Sequence, residues 1–132
     1  GETGDVKASM AEGIKRGGEC VVDTLIIPNV HADVIQAISM TTQIEHPGAV
    51  GVLEYYSVAS AITGADIAAK AADVRLIEVR IGYAIGGKGY VTLTGDVGAV
   101  RAAVAAAKEA SEMMVGTSII PRPSPKVFES LM

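Results

Sequence analysis

The stretch from Tyr90 to Val100 reads YVTLTGDVGAV, and its periodicity changes half-way along. The first part, from Tyr90 to Leu93, is built of aromatic, β-branched and aliphatic residues, which favour a strand. Asp96 is a residue type that often begins a helix. After it, apolar residues recur at helical spacing, at Val97, Val100, Val104 and Ala107. The stretch therefore predicts a strand that turns directly into a helix capped by Asp96.

The residues on both sides predict three more strands and a second helix. Ser57 is a suitable N-cap for an alanine-rich helix from 58 to 72. Strands are predicted at 48–54, 74–81 and 117–120, and a glycine-rich turn at 84–89. The order β-α-β-β-α-β predicts the α/β (α+β) fold class, a ferredoxin-like sandwich with an antiparallel sheet and helices on one face.

Simple alternation in the strand at 74–81 predicts which side chains share a face. One side is expected to carry Val74, Leu76, Glu78 and Arg80, and the other Arg75, Ile77, Val79 and Ile81. The strand should therefore be half-buried along its whole length.

Two motifs occur twice in the chain. TGDV at 3–6 returns at 94–97, and DTLIIP at 23–28 resembles GTSIIP at 116–121. A repeat of roughly 93 residues fits only once into 132 residues. We therefore expect a complete copy at 48–132, the C-terminal part of a preceding copy at 1–38 and a polar linker at 39–47. The natural protein is expected to be longer, near two full copies.

Composition excludes several classes of protein. Of the 132 residues, 49% are hydrophobic and 20% charged, which is unlike a disordered chain. The net charge is −4 and the basic residues are scattered, so neither nucleic acid nor an anionic membrane is expected as a partner. No apolar stretch approaches the roughly 20 residues that span a bilayer.

The residues that could carry chemistry are few and scattered. His31 and His46 have no partners at metal-ligand spacing, and Cys20 is expected to be a buried, inert thiol, so we expect no metal site in this chain. The glycines at 86–89 lack the spacing of a phosphate-binding loop, so a tight hairpin explains them better than a nucleotide site does. No group of side chains suggests catalysis, so an enzyme is not expected.

Three segments together resemble a known family. GDVGAV at 95–100, ADIAAKAADV at 65–74 and IIPRP at 119–123 are similar to the signature stretches of the bacterial microcompartment (BMC) shell domain. The resemblance extends over nearly the whole chain and is closest to tandem-domain shell proteins of the propanediol-utilisation subtype. It implies a structural protein that forms homotrimers resembling hexamers. These trimers would tile with other shell proteins into the shell of a cytoplasmic microcompartment.

The resemblance also implies roles for particular residues. Lys70 and Arg122 match the tile-edge residues of the family, although an ordinary solvent-exposed side chain remains an alternative for each. The loop residues Ile85, Gly86, Gly87 and Lys88 match a pore loop for small polar metabolites. In the resembling subtype, a cysteine in the first domain's pore loop holds a [4Fe-4S] cluster at the trimer axis. That loop is not among these residues, and Cys20 is not its equivalent.

One rival function remains open at this point. Ferredoxin-like repeats also pair into regulatory modules that bind small molecules. A ligand that raises the melting temperature in the absence of large assemblies would favour this rival over a shell protein.

Overall fold

The computed structural model describes all residues from 1 to 132 and contains five helices and four strands. The helices are Thr3–Gly17 (α1), Ala32–Ile38 (α2), Val58–Ala71 (α3), Val97–Glu109 (α4) and Pro125–Leu131 (α5). The strands are Ala49–Tyr55 (β1), Val74–Arg80 (β2), Gly89–Gly95 (β3) and Met114–Ile120 (β4), and a short 3-10 turn spans Gly18–Cys20. None of the helices is both long and apolar enough to cross a membrane.

The four strands form one antiparallel sheet in the order β2-β3-β1-β4. Helices α3 and α4 pack on one face, where Leu53 and Leu93 of the sheet join Ala65 and Val100 of the helices in one core. The predicted fold class is confirmed. The element bounds agree closely with those predicted, except that β4 begins at Met114, three residues before the predicted start.

Small residues bring the helices close to the sheet. Ala61, Ala65 and Ala68 of α3 are fully buried. A Cβ atom on Gly51 would lie 2.9 Å from the Leu93 side chain and 3.0 Å from that of Val100, so glycine allows α4 to approach β1 closely at this position. The alanine-rich composition therefore serves tight packing of helices on the sheet.

The strand β2 does not follow simple alternation. Its pairing with β3 shifts between Leu76 and Glu78, which indicates a β-bulge. As a result Val74, Leu76 and Val79 belong to the main core, whereas Ile77 packs on the opposite face. The predicted division of side chains holds as far as Ile77 and is wrong from Glu78 onward, because the extra residue reverses the alternation.

The opposite face of the sheet has its own small cluster. Phe128 of α5 is buried against Val50 and Ile77, with Ile44 and Leu131 packed beside them. Helices α3 and α4 share one face as predicted, and the short helix α5 covers part of the other.

The first 38 residues resemble the end of the chain in their order of elements. Helices α2 and α5 both have seven residues and begin 93 residues apart. Residues 21–27, which the repeat aligns with β4, are extended but pair with no strand, so the first-copy counterpart of β4 does not join the sheet. Helix α1 has no buried residue, whereas α2 packs against β2 and α3.

Candidate functional site

The loop at 82–88 between β2 and β3 carries the predicted pore residues. Tyr83 and Ala84 have φ angles of 62°, and Gly86 and Gly87 have φ angles of 62° and 81°. Glycine adopts this left-handed conformation readily, whereas a residue with a Cβ is strained there. Glycine at positions 86 and 87 therefore lowers the conformational cost of a turn in which Tyr83 and Ala84 are already strained. Both glycines are exposed to solvent.

The loop is held at its base by Lys88. Its Nζ lies 3.4 Å from Glu54 Oε1 on β1 and 5.8 Å from the centre of the Tyr56 ring. The backbone N–H of Lys88 also donates to the carbonyl of Ile85, at 3.2 Å, and the Ile85 side chain is half-buried. An exposed ion pair contributes little stability, so these contacts position Lys88 more than they stabilise the fold.

A second charged cluster lies beside the loop on the same face of the sheet as Lys88. Arg80 Nε lies 2.6 Å from Glu78 Oε1, and the guanidinium stacks 5.2 Å from the centre of the Tyr90 ring. The hydrogen bond that Arg80 donates to Glu78 raises the pKa of Arg80. Burial, followed by the charge of Glu78, raises the pKa of Tyr90. Glu78 is only 6% exposed, so this ion pair fixes the end of β2 where the loop begins.

Lys70, in the last turn of α3, is bound by groups of its own chain. Its Nζ donates to the backbone carbonyl of Asn29 at 2.6 Å and lies 2.7 Å from Asp66 Oδ2. Asp66 is nearly buried, and its other oxygen accepts the backbone N–H of His31 at 2.8 Å. The Lys70 side chain remains 44% exposed. The lysine thus anchors residues 29–31 and still reaches solvent.

Arg122 differs from Lys70 because it has no partner within the chain. It is exposed and makes neither an ion pair nor a side-chain hydrogen bond. It lies between Pro121 and Pro123 in a shallow cleft that also includes Asp96 and Phe128. Five N–H donors are therefore available for carbonyls or carboxylates of another molecule.

Asp96 precedes α4 at the predicted N-cap position, but its carboxylate makes no capping hydrogen bond. Its backbone carbonyl accepts the N–H of Val100 at 2.9 Å, as an ordinary helical hydrogen bond does. The predicted capping by the Asp96 side chain is therefore wrong. Ser57 does cap α3 as predicted, because its Oγ accepts the N–H of Ser60 at 2.9 Å.

The loop and Lys70 lie at opposite ends of α3. Gly86 and Gly87 share a cleft with Ser57 and Val58, at the start of the helix. Lys70 is in the last turn of the same 14-residue helix, which corresponds to a separation of about 20 Å along its axis. The structure therefore separates the predicted pore residues from the predicted edge lysine.

Sequence reasoning missed a polar contact that involves Asp23. Asp23 Oδ2 accepts hydrogen bonds from the hydroxyl groups of Ser57 and Ser60, the second at 2.7 Å. The hydrogen bond from Ser57 is the main reason that the pKa of Asp23 is lowered, although partial burial opposes it. The only sequence signal was an acidic residue within the apolar run VVDTLII at 21–27.

No metal site is found in the chain. No group of three or more His, Cys, Asp or Glu side chains is placed to hold an ion. Cys20 is free and exposed, so the prediction that its thiol is buried is wrong. The residues of the loop at 82–88 include no thiol, carboxylate or imidazole. Because iron–sulfur clusters are held mainly by cysteine thiolates, the residues of this loop do not fit such a cluster.

Comparison with known proteins identifies the class. The BMC domain matches residues 49–123. The PduT bacterial microcompartment shell protein of Citrobacter freundii is 38% identical over 135 residues, covering all of this chain and 73% of its own. The carboxysome shell protein CsoS1 of Prochlorococcus marinus is 42% identical over 89 residues, covering 63% of this chain and 82% of its own.

A solved structure is similar over almost the whole chain. The crystal structure of a microcompartments protein from Desulfitobacterium hafniense DCB superposes with a TM-score of 0.84 at 43% sequence identity. It covers 98% of this chain, which spans 73% of that protein. The chain belongs to the BMC domain family of microcompartment shell proteins. This is a class of structural proteins and not of enzymes.

Proposed function

We propose that the chain forms homotrimers that tile with other shell proteins, and that Ile85, Gly86, Gly87 and Lys88 line a central opening for small polar metabolites. A three-fold axis would bring three copies of the loop together, while the edge residues would lie far from the axis. The ammonium of Lys88 would favour anionic over cationic solutes in such an opening.

The observation that carries the proposal is that Arg122 is exposed and has no partner within the chain. An unpaired guanidinium held between two prolines is rigidly presented to another molecule, because proline restricts the backbone on both sides. The separation of about 20 Å between the loop and Lys70 agrees with a tile that has a central opening and a distant edge. A regulatory module that binds small molecules would need neither feature.

The proposal includes the division of the chain into two copies. Residues 1–38 are the C-terminal part of a first BMC domain, 39–47 are a linker, and 48–132 form a second domain. The matching lengths of α2 and α5 support this division, as does the extended segment at 21–27 that aligns with β4. A [4Fe-4S] cluster would depend on a cysteine in a first-domain loop outside these residues, and iron and sulfide analysis of a protein containing that loop would test it.

Arg122→Ala tests the edge contact. We expect the wild-type protein to form extended sheets visible by electron microscopy and the variant to form none, while both sediment as trimers. Arg101→Ala is the matched control, because Arg101 is an exposed arginine on α4. Sheets formed equally well by Arg122→Ala would contradict the edge role, and a monomeric wild type would contradict the trimer.

A further inference from the structure

The segment at 21–31 crosses the outer face of α3 from its first turn to its last. Asp23 binds Ser57 and Ser60 at the start of the helix. Near its end, Lys70 donates a hydrogen bond to the backbone carbonyl of Asn29. Between these contacts the segment is extended and pairs with no strand. Polar contacts therefore hold the segment at both of its ends, and the half-buried Leu25 and Ile27 lie between them.

The first contact suits a carboxylate. The first turn of α3 contains no acidic residue, although the positive end of a helix dipole favours a negative charge. Ser57 and Ser60 are 3% and 9% exposed, and both hydroxyl groups donate to the same oxygen of Asp23. Hydrogen bonds to an ionised acceptor are stronger than neutral ones. The first-copy segment thus supplies the negative charge that α3 lacks.

The equivalent second-copy segment carries different residues at both contact positions. The repeat aligns Asp23 with Gly116 and Asn29 with Arg122. Gly116 offers no carboxylate to the serine hydroxyls. The contact with Lys70 is made by the backbone carbonyl at position 29, which any residue supplies. The two copies therefore differ at the one side chain, Asp23, by which the segment binds the start of α3.

We infer that the outer face of α3, formed by Ser57, Ser60, Asp66 and Lys70, selects the first-copy segment over its second-copy equivalent, with Asp23 as the specificity-determining residue. The inference rests on the proposed division into two copies and names the residues that join them. A second-copy segment on this face would leave the serine hydroxyls without a carboxylate. The inference therefore explains why, in a chain with two similar copies, the first-copy segment packs on α3 and the second-copy segment does not.

The double substitution Asp23→Gly with Asn29→Arg gives the first-copy segment the second-copy residues. Cys20 is the only cysteine, is exposed and lies directly before the segment, so a nitroxide spin label on it reports the mobility of the segment. We expect the double variant of the full chain to show at least a several-fold larger mobile fraction in its spectrum than the wild type. Circular dichroism should show that its secondary structure is unchanged.

The matched control places glycine and arginine at neighbouring exposed positions, as Val22→Gly with Thr24→Arg. This control should keep the wild-type mobility. The double substitution Ser57→Ala with Ser60→Ala removes the two hydroxyl groups from α3 and should also raise the mobility of the segment. An immobile label in the Asp23 and Asn29 double variant, or equal mobility in the control, would overturn the inference. Because the readout concerns one chain, it is independent of the sheet assay that tests the proposed function.

Discussion

Tyr55 is completely buried at the end of β1, and its hydroxyl group has no hydrogen-bond partner. Burial raises the pKa of this side chain to about 12. A hydroxyl group that loses its hydrogen bonds to water on burial, and gains none within the protein, destabilises the folded state. The buried ring of Tyr55 therefore stabilises the fold, whereas its unpaired hydroxyl group destabilises it.

The substitution Tyr55→Phe should make the protein more stable. Removing the unsatisfied hydroxyl while keeping the ring is expected to raise the free energy of unfolding by about 1 kcal/mol. Urea denaturation measures the change. Tyr90→Phe is the control, because the Tyr90 hydroxyl lies 3.4 Å from Glu78 and its loss should not stabilise the protein. Reduced stability of Tyr55→Phe would show that the hydroxyl has a partner in solution.

At the scale of elements, the packing of α3 on the sheet depends on a glycine within the helix. A Cβ atom on Gly64 would overlap the hydroxyl and ring of Tyr55. Glycine costs roughly 1 kcal/mol relative to alanine inside a helix, so its presence here opposes helix propensity. The close approach of α3 to β1 therefore outweighs the conformational cost of Gly64.

Gly64→Ala is expected to destabilise the protein despite its gain in helix propensity. Overpacking against the buried Tyr55 ring should lower the free energy of unfolding by about 1–3 kcal/mol. Gly98→Ala provides the control, because Gly98 is an exposed residue of α4 and an added Cβ would contact nothing within 4 Å. Thermal or urea unfolding should show a loss for the first variant and no loss for the second. Equal effects would mean that α3 can shift to accept the methyl group.

The elements also show where sequence reasoning succeeds and fails. The helical spacing after Asp96 and the cap at Ser57 are local patterns, and they predicted α4 and α3 closely. The bulge at Ile77 was not predictable from local alternation, because it arises from the pairing of β2 with β3. The same reason applies to Asp23, whose serine partners lie 34 and 37 residues away in sequence.

At the scale of the whole molecule, few side-chain contacts hold residues 1–31 to the rest. Helix α1 has no buried residue, and the segment that follows it is anchored by Asp23 at one end and by Asn29 and His31 at the other. The attachment therefore includes charged groups, in contrast to the apolar core of the four-stranded sheet. Because a carboxylate can be protonated, we expect this attachment to be sensitive to acid.

Asp23→Asn should remove part of the pH dependence of stability. The pKa of Asp23 is lowered in the folded state from its ordinary value of 3.8, so the ionised group stabilises the fold above that value. This contribution is lost as the pH falls through the folded pKa. The difference in unfolding free energy between wild type and variant should be constant above about pH 5 and shrink toward about pH 2.

Urea denaturation across this pH range measures the difference. Asp5→Asn is the control, because Asp5 is an exposed carboxylate on α1 without a side-chain partner. A difference between wild type and Asp23→Asn that stays constant down to pH 2 would show that the Asp23 carboxylate does not stabilise the folded state.

The loop at 82–88 has a consequence for how such proteins diversify. Tyr83 is 95% exposed, and a Cβ atom on Gly82 would contact nothing within 4 Å. Mutations at these two positions therefore change what the loop presents to solvent while the core remains untouched. Natural substitutions at these positions can therefore change the chemistry of the loop one residue at a time. They should have little effect on the folding stability, which is determined by the core.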